Sequence, residues 1–146
     1  MANELFTVGY EGIDINSFVE HLRNKGIDCL IDVREIPLSR KKGFSKAALR
    51  ARLEQENIRY VHLKELGSPK PVRNKLKEDG DYVRFFKAMK SYLADKKDVI
   101  EKAYQYVVSK TCCLMCFEHL ASQCHRNIVA TKIKERDGNG LLISNI

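Results

Sequence analysis

Two cysteines, two histidines, a glutamate and an arginine fall within "CFEHLASQCHR", residues 116–126. These side chains can do chemistry together. A thiol becomes a nucleophile or a metal ligand only as a thiolate, which nearby cations and helix N-termini favour. Arg126 and Arg34 could supply the cation, and Glu118 could donate or accept a proton. If residues 111–117 form a strand, Cys112, Leu114, Cys116 and Glu118 share one face and Cys113, Met115 and Phe117 the other. Cys116 and Glu118 then meet at the strand's carboxyl end. Cys124, His125 and Arg126 would open the following helix, where unpaired backbone N–H groups favour a thiolate or a bound anion. A planar guanidinium at Arg126 suits phosphate or carboxylate.

Each residue also has a plainer reading. Free cysteine is among the most buried residue types, which suits Cys112 and Cys113 as small apolar groups. His125 lines up with Val129 and Ile133 on one helical stripe and could simply pack against the sheet. Cys113, Cys116, Cys124 and His125 are zinc or iron–sulfur ligand types. However, Cys113 and Cys116 fall on opposite strand faces, and a second CxxC pair is missing. A looser metal site of Cys116, Cys124 and His125 with one open position remains as an alternative. Known thiol and phosphate templates do not apply. No cysteine has Arg six positions on, and neither a G-x-x-x-x-G-K-[ST] loop nor a G-x-G-x-x-G fingerprint occurs.

A second constellation is "DVREIPLSR", residues 32–40. Asp32 and Arg34 share a face and follow the most apolar run of the chain. A charge at that depth needs a partner or a task. Asp32 could orient Arg34 or act as a base. Alternatively the two form a surface pair of little energetic weight.

These residues need elements to position them. The 146 residues suit one domain, 1–146. Strands are expected at 4–10, 28–34, 58–63, 111–117 and 141–146. Helices are expected at 14–27, 45–57 (with Ser45 as N-cap), 82–93, 98–110 and 124–138. Residues 64–81, with Gly67, Pro69, Pro71 and Gly80, read as a long functional loop. This order predicts an α/β fold, a mostly parallel sheet of about five strands with helices on both faces. Ligands of such sheets bind beyond the carboxyl ends of the strands. Those ends are "GYEG" (9–12), "DVREIPLSR", "HLKELG" (62–67) and "CFEHLASQCHR", where nearly all the reactive side chains lie.

Composition narrows the function. The net charge is +7. Basic residues concentrate in 34–53 and in "KPVRNKLK" (70–77), a pattern that attracts phosphates on metabolites or nucleic acids. A surface slightly rich in lysine is the plainer source of this charge. No run is long enough to span a bilayer, and the first residues do not read as a signal peptide. An odd count of 5 cysteines, four of them clustered, is a poor disulfide framework. A cytoplasmic protein is therefore expected, without membrane association.

The motifs together resemble the domain-of-unknown-function 488 family. The resemblance rests on Gly9, "DVREIPLSR", "YVHLKELG" (60–67), "DYVRFFKAM" (81–89) and "CFEHLASQCHR", in that order, from about Phe6 to the last strand. It implies an α/β domain with characteristic positions Gly9, Asp32, Arg34, Pro37, Ser39, Arg40, Gly67, Cys116, Glu118, Cys124, His125 and Arg126. It supplies no reaction and no cofactor. Many members end on a strand containing His, whereas this chain reads "LLISNI".

Three functions compete at this point. The first is an enzyme acting on an anionic, phosphate- or nucleotide-containing substrate. Cys116, Glu118 and Asp32 would be its catalytic groups, and Gly9, Tyr10, Arg34, Ser39, Arg40, Gly67, Cys124, His125 and Arg126 would bind the substrate. The second is a non-catalytic nucleic-acid-binding module. The third is a metal-binding protein using Cys116, Cys124 and His125.

Overall fold

A computed structural model describes residues 4–120 and 123–146. Its strands are β1 (Glu4–Gly9), β2 (Cys29–Asp32), β3 (Arg59–His62), β4 (Cys112–Cys116) and β5 (Leu142–Asn145). They form one sheet in the order β3-β2-β4-β1-β5, and every neighbouring pair is parallel. The helices are α1 (Ile15–Asn24), α2 (Lys46–Glu54), α3 (Lys70–Asp79), α4 (Tyr82–Leu93), α5 (Lys97–Ser109) and α6 (Arg126–Asp137). Among the described residues no helix is long and apolar enough to cross a membrane.

Strand alternation divides the core in two. On one face Phe6, Val8, Leu30, Cys113 and Met115 pack against α1 and α2 through Phe18, Leu22, Leu49 and Leu53. On the other, Leu5, Ile31, Cys112, Leu114 and Cys116 meet Met89, Tyr104, Val129 and Ile133 from α4, α5 and α6. A parallel sheet needs both faces covered, because each strand is apolar on both sides. The connections after β1 and β2 run over the first face, and those after β3 and β4 over the second. β1 and β4 are neighbours whose chains leave toward opposite faces. A crevice opens at such a switch point.

Two expectations change. Residues 64–81 are not a loop. A 3-10 turn at Lys64–Leu66 leads into α3, which has Pro71 in its first turn and ends on Gly80 with φ +63°. Proline is tolerated there because the first N–H groups of a helix have no partner within it. Val72 and Leu76, one turn apart, pack on the core as the helix's apolar stripe. The hydroxyl of Ser45 does not cap α2; it accepts from the Ser39 amide (3.0 Å) and donates to the Ser39 carbonyl (3.1 Å).

The return from α6 to β5 depends on Asp137. Its carboxylate accepts from the Tyr104 hydroxyl (2.7 Å) and the amides of Asn139 (2.9 Å) and Leu141 (3.1 Å). The tyrosine bond first, then the amides, hold this carboxyl below its ordinary range. A depressed carboxylate stabilises the fold above its unfolded pKa, and that contribution disappears as pH falls through the folded value. Asp137→Asn should therefore destabilise the protein at neutral pH. The difference from wild type should shrink below about pH 4. Urea denaturation across pH measures both; a difference that stays constant down to pH ~2 would remove the carboxylate from this role.

Candidate active site at the carboxyl end of the sheet

A cavity of about 610 Å³ opens at the switch point. Its walls come from the ends of three strands: Tyr10 after β1, Arg34, Glu35, Ile36, Leu38 and Ser39 after β2, and Cys116 to Glu118 at the end of β4. His125 closes its floor, and Ser68, Arg73, Leu76, Lys77, Tyr82 and Phe85 close the far side from α3, α4 and the turn before them.

The sulfurs of Cys116 and Cys124 are joined as a disulfide across the floor, with Cα atoms 7.3 Å apart. This departs from the reading of the cysteines as unpaired. Cys29, Cys112 and Cys113 are free and buried away from the cavity, and burial raises the Cys113 thiol. They serve as small apolar groups.

Arg126 organises the floor. It is the first residue of α6 and is 1% exposed. Its Nε donates to the Thr7 hydroxyl (3.2 Å). Its Nη1 donates to Cys116 Sγ (3.1 Å) and to the Glu118 carbonyl, and Nη2 to the His119 carbonyl (3.0 Å). No carboxylate among the described residues forms an ion pair with it. Burial pulls its pKa down from the ordinary arginine value. The Arg126 amide meets Cys124 Sγ at 3.5 Å. Each sulfur therefore faces an N–H donor of the kind that stabilises a thiolate.

Glu118 lies past the end of β4 rather than within it, because the strand stops at Cys116. Its carboxyl nevertheless returns to the sulfurs, so that Cys116, Glu118 and Cys124 each offer a ligand atom within 4.8 Å of the others. Burial raises its pKa, opposed by a backbone hydrogen bond and by Arg126. That equips it to hold a proton. His125 Nε2 lies 2.7 Å from the Val33 carbonyl, which requires it to carry the hydrogen. The Nδ1 lone pair then faces Cys124 Sγ at 3.8 Å. Burial, opposed by the Val33 bond, lowers the imidazole pKa to about 4. His125 is thus both a packed residue and a polar neighbour of the sulfurs.

Asp32 and Arg34 occupy the other face of the sheet. Asp32 is fully buried and does not line the cavity. Its oxygens accept from Arg34 Nε (2.9 Å), Arg34 Nη2 (2.7 Å) and the Tyr60 hydroxyl (2.5 Å). Burial opposes the Arg34 charge, but Asp32 more than offsets it and the guanidinium pKa rises. Burial and then the Asp32 charge raise Tyr60. Asp32 has no free oxygen directed at the cavity and serves to position Arg34. Arg34 does reach the cavity, and its Nη1 donates to the Tyr10 hydroxyl (3.2 Å). Tyr10 stacks on Phe44 with ring centroids 4.4 Å apart.

The remaining predicted residues have structural places. A Cβ on Gly9 would sit 1.7 Å from the Glu118 carbonyl oxygen, and one on Gly67 would sit 2.2 Å from the Glu35 amide nitrogen. Both glycines permit close backbone contact rather than offering a binding group. Ser39 lines the cavity, and its hydroxyl accepts from the Lys41 amide (3.1 Å). Arg40 is exposed and outside the lining. Sequence reasoning missed Thr7 and Arg73. Thr7 shares a strand face with Leu5 and Gly9, opposite Phe6 and Val8, and that face meets α6. Arg73, ion-paired to Glu35 at 2.7 Å, was hidden by reading α3 as a loop.

Residues 14–133 match the family model described as "Domain of unknown function DUF488", and the chain belongs to that family. No curated protein and no solved structure matches it.

Gly9→Ala should drive the turn after β4 away from β1. A cost of about 3 kcal/mol in urea denaturation is expected. A loss under ~0.5 kcal/mol would mean that this contact constrains nothing.

Proposed function

We propose that this DUF488 protein is an enzyme that works through the Cys116–Cys124 sulfur pair on a small anionic substrate held in the cavity. One observation carries this reading. A buried guanidinium that forms no ion pair with a carboxylate among the described residues donates to Cys116 at the cavity floor. A buried charge needs compensation, and a Cys116 thiolate would provide it. The working state is then the dithiol. An external dithiol opens the disulfide: it gives up two hydrogens to the two sulfurs and leaves as a disulfide itself.

Roles follow from position. Cys116 faces the cavity, whereas Cys124 lies behind it, two residues before α6. Glu118 is placed to carry the proton that a sulfur or the substrate exchanges. Lys77 lines this wall beside Arg34 and Arg73, which Asp32 and Glu35 hold in place, and these N–H groups support an anionic, phosphate- or nucleotide-class substrate. Ile36, Leu38, Tyr82 and Phe117 are exposed apolar groups on the same wall, suited to the organic part of such a molecule.

Iodoacetamide labelling of reduced, metal-free protein at neutral pH tests this, with each cysteine followed by mass spectrometry. Cys116 should label in the folded state, and Cys29, Cys112 and Cys113 only on unfolding. Inorganic phosphate or nucleoside monophosphates should slow Cys116 labelling, less so as salt rises. Labelling at Cys116 that no such anion slows would overturn the anionic-substrate reading. A folded protein unlabelled at Cys116 would overturn the sulfur-centred one.

A further inference from the structure

The cavity floor carries more donor atoms than a disulfide uses. Cys116, Glu118 and Cys124 converge to within 4.8 Å of one another, from the end of β4, the turn after it and the residues just before α6. Their backbone spacing is informative. The two cysteine Cα atoms are 7.3 Å apart, beyond the roughly 4.4–6.8 Å that disulfides usually span. A tetrahedral zinc with bonds of about 2.3 Å to sulfur holds two thiolates roughly 3.8 Å apart, which suits a wider backbone.

We infer that the reduced protein binds one divalent metal ion of the zinc class through Cys116 Sγ, Cys124 Sγ and a Glu118 carboxylate oxygen. This rests on the reading that the cavity is the working site, and it specifies how the sulfurs work there: as ligands, with the Glu118 carboxylate a ligand when metal is bound and a proton carrier only in the metal-free protein. The fourth coordination position points into the cavity, as in zinc sites that act on a water or a substrate. Binding exchanges the thiol protons for the metal and requires the disulfide to be opened first by a dithiol, as above.

Charge supports the assignment. Two thiolates and a carboxylate around a divalent ion leave one negative charge. Arg126, 3.1 Å from Cys116 Sγ and without a carboxylate partner among the described residues, brings the cluster to neutrality. Ligand type supports it as well, since thiolates select zinc-class metals over magnesium or calcium. The expected set of Cys116, Cys124 and His125 is revised. His125 stands outside the ring of converging donors, with Nε2 held by Val33 and Nδ1 beside Cys124 Sγ at 3.8 Å. With its hydrogen on Nε2 it has none to give the ligand sulfur, and it packs beside the site without acting as a ligand.

The test is cobalt titration of the reduced, chelator-stripped full chain, followed by zinc displacement. One cobalt per chain with sulfur-to-metal charge-transfer absorption is expected. Oxidised wild type should take up none, which controls for folding without any mutation. Cys124→Ser and Cys116→Ser should lose the absorption, and Glu118→Gln should keep it while binding at least ~10-fold more weakly. No absorption from the reduced wild type, equal binding by the oxidised chain, or an unchanged spectrum in Cys124→Ser would each overturn the inference. Failure here with anion protection of Cys116 intact would leave the enzyme reading standing. Metal binding without anion protection would sink that substrate class and keep the site.

Discussion

The working end of the sheet depends on one buried cation. Arg126 is nearly inaccessible to water, and a guanidinium in that position is costly unless its N–H groups are satisfied. Each of its nitrogens finds an acceptor, in four groups from three parts of the chain: the Thr7 hydroxyl, Cys116 sulfur and the carbonyls of Glu118 and His119. Because one side chain holds all of them, the start of α6 is fixed relative to β1, β4 and the turn after β4. That fixation brings Cys124 against Cys116. The close approach at Gly9 serves the same end, since any larger residue would displace the carbonyl that Arg126 binds.

The two faces of the sheet treat charge differently. On the α1 and α2 face, Asp32 and Arg34 form a closed bidentate pair completed by the Tyr60 and Tyr10 hydroxyls. Such a pair is strongly destabilising to break and supports a wall rather than a reaction. On the α6 face the cation has sulfur where a carboxylate would ordinarily stand. This asymmetry separates scaffold from chemistry, and both meet at the cavity because β1 and β4 lie at the switch point.

Much of this was legible in the sequence. Strand alternation placed Cys112 and Cys116 on one face and Cys113 on the other, as the two cores confirm. The β-α alternation implied the parallel sheet and drew attention to strand ends. The closed role of Asp32 was not legible, because its partner Tyr60 comes from β3 and only the sheet's register brings them together. Glu118 was expected beside Cys116 and lies there, but it arrives from the turn after β4 rather than from the strand. The proline and glycines of 64–81 concealed α3, although Val72 and Leu76 carried its spacing. The meeting of Cys116 and Cys124 is a tertiary contact made by Arg126, and local patterns do not report it.

A double-mutant cycle tests the central claim most directly. Arg126→Met, Cys116→Ala and the double variant are compared by denaturation of reduced, metal-free protein. A hydrogen bond to a charged group predicts coupling of about 1.5 kcal/mol or more between the two sites. Costs that add to within ~0.5 kcal/mol would contradict it, because the cation and the sulfur would then be neighbours without being partners.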